Sequence, residues 1–331
     1  MCGIVGYIGP REATPILLDG LKKLEYRGYD SAGIAVYDQD SLHVVKAKGR
    51  LQNLEKKVSA QKVPGTVGIG HTRWATHGEP SDVNSHPQTN QSGDIAVVHN
   101  GIIENYLRLK EWLMDKGYHF VSDTDTEVIA HLVNYYYEGD LLQAVLSTLR
   151  RLEGSYALGV ICRGNPDELV AVRKDSPLVI GLGEGANYIA SDNPAILAHT
   201  RDVCLLKDKE IAVIHKDKVD LYNEEGETIR KEPFHIDWDV AAAEKGGFEH
   251  FMLKEIHEQP QGLRATLNPR LTEDQKAIDL REIALDDEYI KNIEKIYIVA
   301  CGTAYHAGVV GKKLIEQLAG IPVETDIASE F

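Results

Sequence analysis

The sequence predicts an α+β fold in which layers of sheet and helix pack on one another. Three observations carry that expectation. Short β-branched runs fill most of the first hundred residues, helical periodicity takes over between 104 and 152, and short strands separated by Gly, Asn and Asp return from 155 to about 229. Strands, then helices, then strands again is the order of packed layers and not of alternating βαβ units. A length of 331 residues leaves room for this domain and a second element, at about 150 residues per domain.

The elements follow in order. Cys2 to Ile8 is an apolar run closed by Gly9-Pro10, a strand that starts at the terminus. Ile16, Leu17, Leu21 and Leu24 recur at helical spacing, and Arg27-Gly28 closes that helix. Strands are expected at Ala32–Tyr37, Leu42–Ala47, Val67–His71 and Ile95–His99. Helices are expected near Glu104–Asp115, Thr126–Tyr137 and Leu141–Leu152, the second opening on Thr124-x-x-Glu127, a capping-box spacing. Strands then return at Tyr156–Cys162, Glu168–Val172, Leu178–Leu182, Tyr188–Ala190, Ile211–His215 and Val219–Tyr222. Residues 1–240 therefore read as one domain.

After Trp238 the character changes. Residues 241–294 are polar and mainly helical, a linker in which Pro260 is expected to interrupt one helix and Pro269 to end it or its loop. From 295 to 331 a strand (Ile296–Ala300), a tight turn (Cys301-Gly302-Thr303), a helix (Tyr305–Leu318) and a strand (Val323–Ala328) read as the opening βαβ unit of a parallel α/β domain. That stretch is too short to close such a sheet, so a truncated start of a longer enzyme is expected.

Composition excludes whole classes. Hydrophobic residues at 43% and charged residues at 26% belong to a globular chain that folds in water. With 51 acidic against 36 basic side chains the formal charge is -15, which repels phosphate backbones and anionic lipid heads, so neither nucleic acid nor membrane is an expected partner. Cys2, Cys162, Cys204 and Cys301 form no Cys-x-x-Cys pair, which spells out neither a zinc ribbon nor a disulfide framework and points to a reducing cytoplasm. Nothing resembles an export signal or a transmembrane run.

Four places can carry chemistry. Removal of Met1 would leave a thiol and a free α-amine on Cys2; an amine with a pKa of about 7.7–8.0 can take the thiol proton and return one to a leaving group. Against this stands a small buried hydrophobe in an edge strand. Asn100-Gly101 alone is the signature of a two-residue hairpin turn, but bordering the thiol its side-chain amide and backbone N–H would make an oxyanion hole. Gly70-His71-Thr72-Arg73-Trp74-Ala75-Thr76-His77-Gly78 is dense in polar groups: Arg73 suits an α-carboxylate, Trp74 can cover a small ligand and Gly78 can hinge the loop. The spacing of His71, His77 and His86 matches no metal-ligand pattern, so no metal is expected. Asp125, in Ser122–Glu127, is either a first-turn acid stabilised by the helix dipole or the partner of an ammonium group.

Together Cys2–Tyr7, Arg27–Gly33, Gly70–Gly78, His99-Asn100-Gly101 and Asp123–Val128 resemble the glutaminase domain of the glutamine–fructose-6-phosphate aminotransferases (isomerizing), the glucosamine-6-phosphate synthases. The resemblance runs on through Ile298–Thr303 and Ala328–Phe331, which are similar to the start of that family's first sugar-isomerase (SIS) domain. It implies a four-layer αββα N-terminal-nucleophile hydrolase sandwich. It also implies roles: Cys2 as nucleophile with its amine as base, Asn100 and Gly101 as oxyanion donors, Arg73 and Asp125 as partners of the glutamine carboxylate and ammonium. Thr76 and His77 would lie in a loop over glutamine, Arg27 would support the site and Trp74 would gate ammonia. The chain departs from the family pattern at Ala304, where a serine that helps hold the sugar phosphate is usual, leaving backbone donors of Gly302 and Thr303.

The function so implied is hydrolysis of L-glutamine to glutamate and ammonia through a Cys2 thioester. In the full-length enzyme, a homodimer, the ammonia converts fructose 6-phosphate to glucosamine 6-phosphate. No cofactor is called for. The alternative is a non-catalytic module that senses glutamine or a sugar phosphate.

Overall fold

The computed structural model of the chain describes residues 2–38, 41–75, 77–237, 247–272, 277–279, 285 and 287–331. It divides into two compact units, Met1–Gly247 and Phe248–Phe331. The first unit runs β1 (Gly3–Ile8), α1 (Ala13–Leu24), β2 (Ser31–Tyr37), β3 (Leu42–Lys48), α2 (Leu51–Gln61), β4 (Val67–Arg73), β5 (Gln88–Thr89) and β6 (Ile95–Ile103). Three helices follow, α3 (Tyr106–Asp115), α4 (Glu127–Tyr136) and α5 (Leu141–Leu149). Then come β7 (Gly154–Cys162), β8 (Asn165–Lys174), β9 (Val179–Gly183), β10 (Ala186–Ala190), β11 (Asp202–Leu205), β12 (Ile211–Ile214), β13 (Val219–Tyr222), β14 (Thr228–Ile229) and β15 (Phe234–His235).

Among the described residues these strands make two sheets, ordered β15-β11-β9-β10-β1-β4-β2-β3 and β14-β13-β12-β8-β7-β6-β5. Every pairing within them is antiparallel. Strand alternation sorts the apolar residues into three layers. Val5 and Tyr7 of β1 and Ile34 and Val36 of β2 pack under α1 and α2, whose Leu17, Leu21, Leu54 and Val58 face them. Val97 of β6, Leu158 and Val160 of β7 and Val170 of β8 pack under α3, α4 and α5. Between the sheets lie Ile4, Ile8 and Ile69 from one and Ala96, Val98, Ala157, Leu169 and Ala171 from the other. The result is helix, sheet, sheet, helix: the αββα sandwich that the resemblance implies.

Several expectations are corrected. Asn100-Gly101 is no hairpin turn: both residues lie inside β6, opposite Ala157 and Tyr156 of β7. A glycine is needed there because its φ is 133° and a Cβ would stand 2.1 Å from the Ser155 carbonyl oxygen. Thr124-x-x-Glu127 makes no capping box. Helix α4 begins at Glu127, and that carboxylate turns back to accept from the Val121 and Ser122 N–H groups at 2.9 and 2.7 Å. Helix α2 escapes the sequence reading, although Leu51, Leu54 and Val58 are its buried side.

The second unit holds α6 (Phe251–Leu267), α7 (Asp287–Lys291), β16 (Ile296–Ala300), α8 (Gly302–Ala319) and β17 (Val323–Ile327). β16 and β17 pair in parallel, so the βαβ reading holds. Pro260 lies inside α6 and does not interrupt it, while Pro269 falls in a 3-10 turn just after that helix. The change of character after Trp238 falls on residues outside the described ones. No described helix is long and apolar enough to cross a membrane.

The inter-sheet layer should carry much of the stability. Ile69, fully buried there, truncated to alanine should cost about 2–5 kcal/mol in urea unfolding. Leu107→Ala on the exposed side of α3 should stay within about 0.5 kcal/mol. Equal losses would mean that the layer between the sheets is not the principal core.

Candidate active site

The antiparallel ladders bring three strand ends to one place. Cys2 precedes β1, which is paired on both sides, and Gly3 stands opposite Thr72 of β4. The Ile4 N–H donates to Ser191 Oγ at 2.9 Å and the Ser191 N–H to the Ile4 carbonyl at 3.0 Å, tying the start of β1 to the segment after β10. Beyond β4, the Trp74 N–H donates to Cys2 Sγ at 3.2 Å. From the other sheet, Asn100 Nδ2 of β6 donates to the Cys2 carbonyl at 3.0 Å. The thiol, a backbone donor and a side-chain amide are thereby held together by two sheets.

They border a cavity of about 330 Å³ whose wall includes Cys2, Arg27, Arg73, Asn100, Gly101 and Asp125, with Trp74 half-exposed on it. Arg73 is 3% exposed. Its Nη2 donates to the carbonyls of His77 and Gly78, whereas Nη1 is buried with no hydrogen-bond partner among the described residues. Asp125 is 4% exposed, and one oxygen accepts from the Ile103 N–H at 2.9 Å. Arg27 donates to the Ser191 carbonyl at 3.1 Å and to Asp192 Oδ2 at 3.2 Å. The cavity wall thus carries the guanidinium groups of Arg27 and Arg73, the carboxyl group of Asp125 and a thiol.

Burial sets the electrostatics. It pushes the Cys2 thiol above its ordinary value, outweighing the Trp74 backbone hydrogen bond and the Arg73 charge, which pull it down. It also works against the Arg73 guanidinium, while Asp30 and Asp125 favour its charge. Three imidazoles line or back the site. His71 is pushed down to about 3 by burial, His86 lies well below the usual imidazole range, and His99 is lowered against the opposing pull of Asp125. All three are neutral at physiological pH.

Of the residues singled out from the sequence, Cys2, Arg27, Arg73, Trp74, Asn100, Gly101 and Asp125 share this cavity. His77 stands beside it, giving Arg73 its carbonyl and resting its ring on Tyr106 at 5.4 Å. Thr76 lies outside the described residues. Gly302 and Thr303 belong to the other unit, where they are the first two residues of α8. Among the described residues no group of three His, Cys, Asp or Glu side chains is disposed to hold a metal. Sequence reasoning gave no role to Asp30, whose carboxylate accepts from the Ala75 N–H and so holds the turn after Arg73. It stands in the quoted Arg27–Gly33 motif, which was the available signal. Ser155, Ser176 and Pro177, also in the wall, carried none.

Known proteins resemble this chain in sequence and in fold. A family described as a glutamine amidotransferase domain matches residues 71–198. A glutamine–fructose-6-phosphate aminotransferase (isomerizing) of Clostridium tetani is 60% identical over 331 residues, covering 100% of this chain and 54% of that protein. The same enzyme of Caldanaerobacter subterraneus subsp. tengcongensis is 61% identical with the same coverage. The chain thus spans about half the length of the curated relatives it matches. Among solved structures, a glutamine phosphoribosylpyrophosphate amidotransferase from B. subtilis complexed with ADP and GMP matches with a TM-score of 0.61. That likeness, at 23% identity over 98% of this chain and 65% of the other, bears on the fold alone.

The buried imidazoles set a pH dependence of stability. Unfolded histidines take up protons near pH 6.5, while the folded sites resist them, so the unfolded state binds more protons below that pH and stability falls as pH drops. These groups cost nothing above about 6.5, and the His71 contribution is fully lost near 3. Denaturant unfolding between about pH 7.5 and 5 should show the decline, and His86→Gln should make it shallower by up to about 1.4 kcal/mol per pH unit. An unchanged slope would mean that His86 titrates alike in both states.

Proposed function

Because the chain belongs to the family of glutamine–fructose-6-phosphate aminotransferases (isomerizing), we propose that it hydrolyses L-glutamine to glutamate and ammonia at Cys2. The observation that carries this reading is the single cavity in which a thiol, two oxyanion donors, a cation and a carboxylate meet. Glutamine has the matching parts: an amide carbon for the thiol, an α-carboxylate for Arg73 Nη1 and an α-ammonium for Asp125.

With Met1 removed, the Cys2 α-amine takes the thiol proton and the thiolate attacks the amide carbon. Negative charge then grows on the amide oxygen, where Asn100 Nδ2 and the Gly101 N–H receive it; each such donor is worth on the order of 3 kcal/mol of barrier. The C–N bond breaks as the amine returns its proton to the nitrogen, leaving ammonia and a Cys2 thioester. Water, activated by the same amine, attacks the thioester, and glutamate leaves with the thiol restored. Arg27 supports the wall, Trp74 gates ammonia, and Thr76 and His77 belong to the loop over the substrate.

The rest of the reading concerns the longer protein. There the ammonia converts fructose 6-phosphate to glucosamine 6-phosphate in a cytoplasmic homodimer, with 1–240 as the glutaminase domain, 241–294 as a linker and 295–331 as the start of the sugar-isomerase domain. Backbone donors of Gly302 and Thr303 at the start of α8 contribute to a sugar-phosphate site.

Incubation of the chain with glutamine and fructose 6-phosphate should yield glutamate and no amino sugar, and intact mass should show Cys2 as the first residue. Cys2→Ala should abolish glutamate release, while Cys162→Ala, Cys204→Ala and Cys301→Ala should not. Release that survives loss of Cys2 would overturn the proposal, and full activity with Met1 retained would overturn the amine as base.

Substrate recognition is separately testable. Arg73→Lys should raise the glutamine KM by roughly tenfold or more, since an ammonium cannot replace a buried guanidinium that also holds the His77 and Gly78 carbonyls. Asp125→Asn should raise KM with little change in melting temperature, because the amide oxygen can still accept from the Ile103 N–H. Lost stability with unchanged KM would reduce Asp125 to a structural acid.

A further inference from the structure

Behind Asn100 stands a buried imidazole that the reaction above does not use. His71, wholly inaccessible, lies on β4 and reaches across the inter-sheet space, its Nε2 2.9 Å from Asn100 Oδ1 and 3.0 Å from the His99 carbonyl oxygen. A carbonyl only accepts, so Nε2 must carry the proton and Asn100 must present oxygen to it. At the far end Asn100 Nδ2 faces the Cys2 carbonyl at 3.0 Å, which again only accepts. Two carbonyls, His99 O and Cys2 O, thus force one direction on the relay: His71 N–H to amide oxygen, amide N–H₂ toward the cysteine. The opposite amide orientation would set N–H against N–H at one end and oxygen against oxygen at the other. The ring is steadied by His86, edge-on at 4.4 Å, whose Nε2 shares the Thr126 hydroxyl with His99 Nδ1 at 2.8 and 2.9 Å.

We propose that His71 is a positioning residue of the glutaminase reaction: by donating to Asn100 Oδ1 it turns the amide so that N–H₂, and not C=O, faces the oxyanion. It is absent from the cavity wall, so it acts through Asn100. Burial keeps its ring neutral at working pH, so it is no general acid or base. Its Nδ1 is buried with no partner among the described residues, so the hydrogen bonds that hold this ring run through Nε2.

The inference rests on the reading of Asn100 as an oxyanion donor, and the test separates the two. Glutamate release and melting temperature are measured for His71→Leu, His71→Gln, Asn100→Ala and the double variant His71→Leu/Asn100→Ala. His71→Leu should lower kcat by about 10- to 100-fold with KM within about twofold, the pattern of an interaction made in the transition state. His71→Gln should keep kcat within about fivefold, because Gln Nε2 reaches the same place with two N–H groups for the two acceptors. The double variant should be no slower than Asn100→Ala alone, since the two act as one unit. If His71→Leu does not fold, His71→Asn, one bond too short, replaces it in every comparison. A folded His71→Leu within about threefold of the unsubstituted kcat, or a double variant that loses the full product of the two single losses, would overturn the inference alone. Asn100→Ala at the unsubstituted rate would overturn the oxyanion reading and this inference with it.

Discussion

The close approach of the two sheets is the constraint on which the site depends. Their facing sides are kept small: a Cβ on Gly6 of β1 would stand 3.0 Å from Leu169 Cδ1 of β8, and one on Gly159 of β7 would stand 2.7 Å from Ile189 Cδ1 of β10. Ala96, Ala157, Ala171 and Ala212 continue the same interface. With this spacing Asn100 of one sheet reaches the cysteine that precedes the other, and His71 reaches back in return. Larger side chains on either face would part the sheets and lengthen every polar contact across them. The chemistry at one end of the sandwich is therefore set by packing along its whole interior.

The same burial leaves the cavity electrostatically incomplete. It raises the Cys2 thiol, opposes the Arg73 charge and leaves Arg73 Nη1 and Asp30 Oδ1 without hydrogen-bond partners among the described residues. A buried donor without an acceptor costs about 1–3 kcal/mol. On the proposed reading, a zwitterionic ligand would return what the fold has withheld, a carboxylate for the guanidinium and an ammonium for Asp125, while excluding water. Selectivity for an α-amino acid would then be a matter of satisfying groups the fold has already desolvated.

Much of this was legible in the chain and some was not, for definable reasons. Strand alternation and helical spacing located most elements because periodicity reports burial directly. Helix α2 was missed because Gln52, Asn53, Glu55, Lys56 and Lys57 outnumber its three buried residues, so its apolar stripe is thin. The Asn100-Gly101 pair carries the local signature of a turn, yet the glycine is there for the neighbouring strand: Ser155 O occupies the space a side chain would need. Glu127 has the spacing of a cap, but its carboxylate is taken by the loop before the helix. Cys2, Arg73, Asn100 and Asp125 could be named from motifs, whereas their convergence could not be derived, since register across two sheets is a property of three-dimensional packing. The His71 link to Asn100 spans 29 positions and two sheets, and no local pattern announces it.

Trp74 gives the cavity an optical property. Its main-chain N–H rests on the Cys2 sulfur at 3.2 Å, while its indole, 49% exposed, meets the edge of Tyr29 at 5.4 Å. Indole emission shifts with hydration and is quenched by nearby groups, so a residue whose backbone is held at the sulfur and whose ring stands half in water is placed to respond to a ligand that enters beside it. Of the other tryptophans, Trp112 lies under the Arg151 guanidinium at 4.4 Å and is not among the residues that line the cavity. The fold thus sets a fluorophore next to the sulfur, where filling of the cavity would change its surroundings.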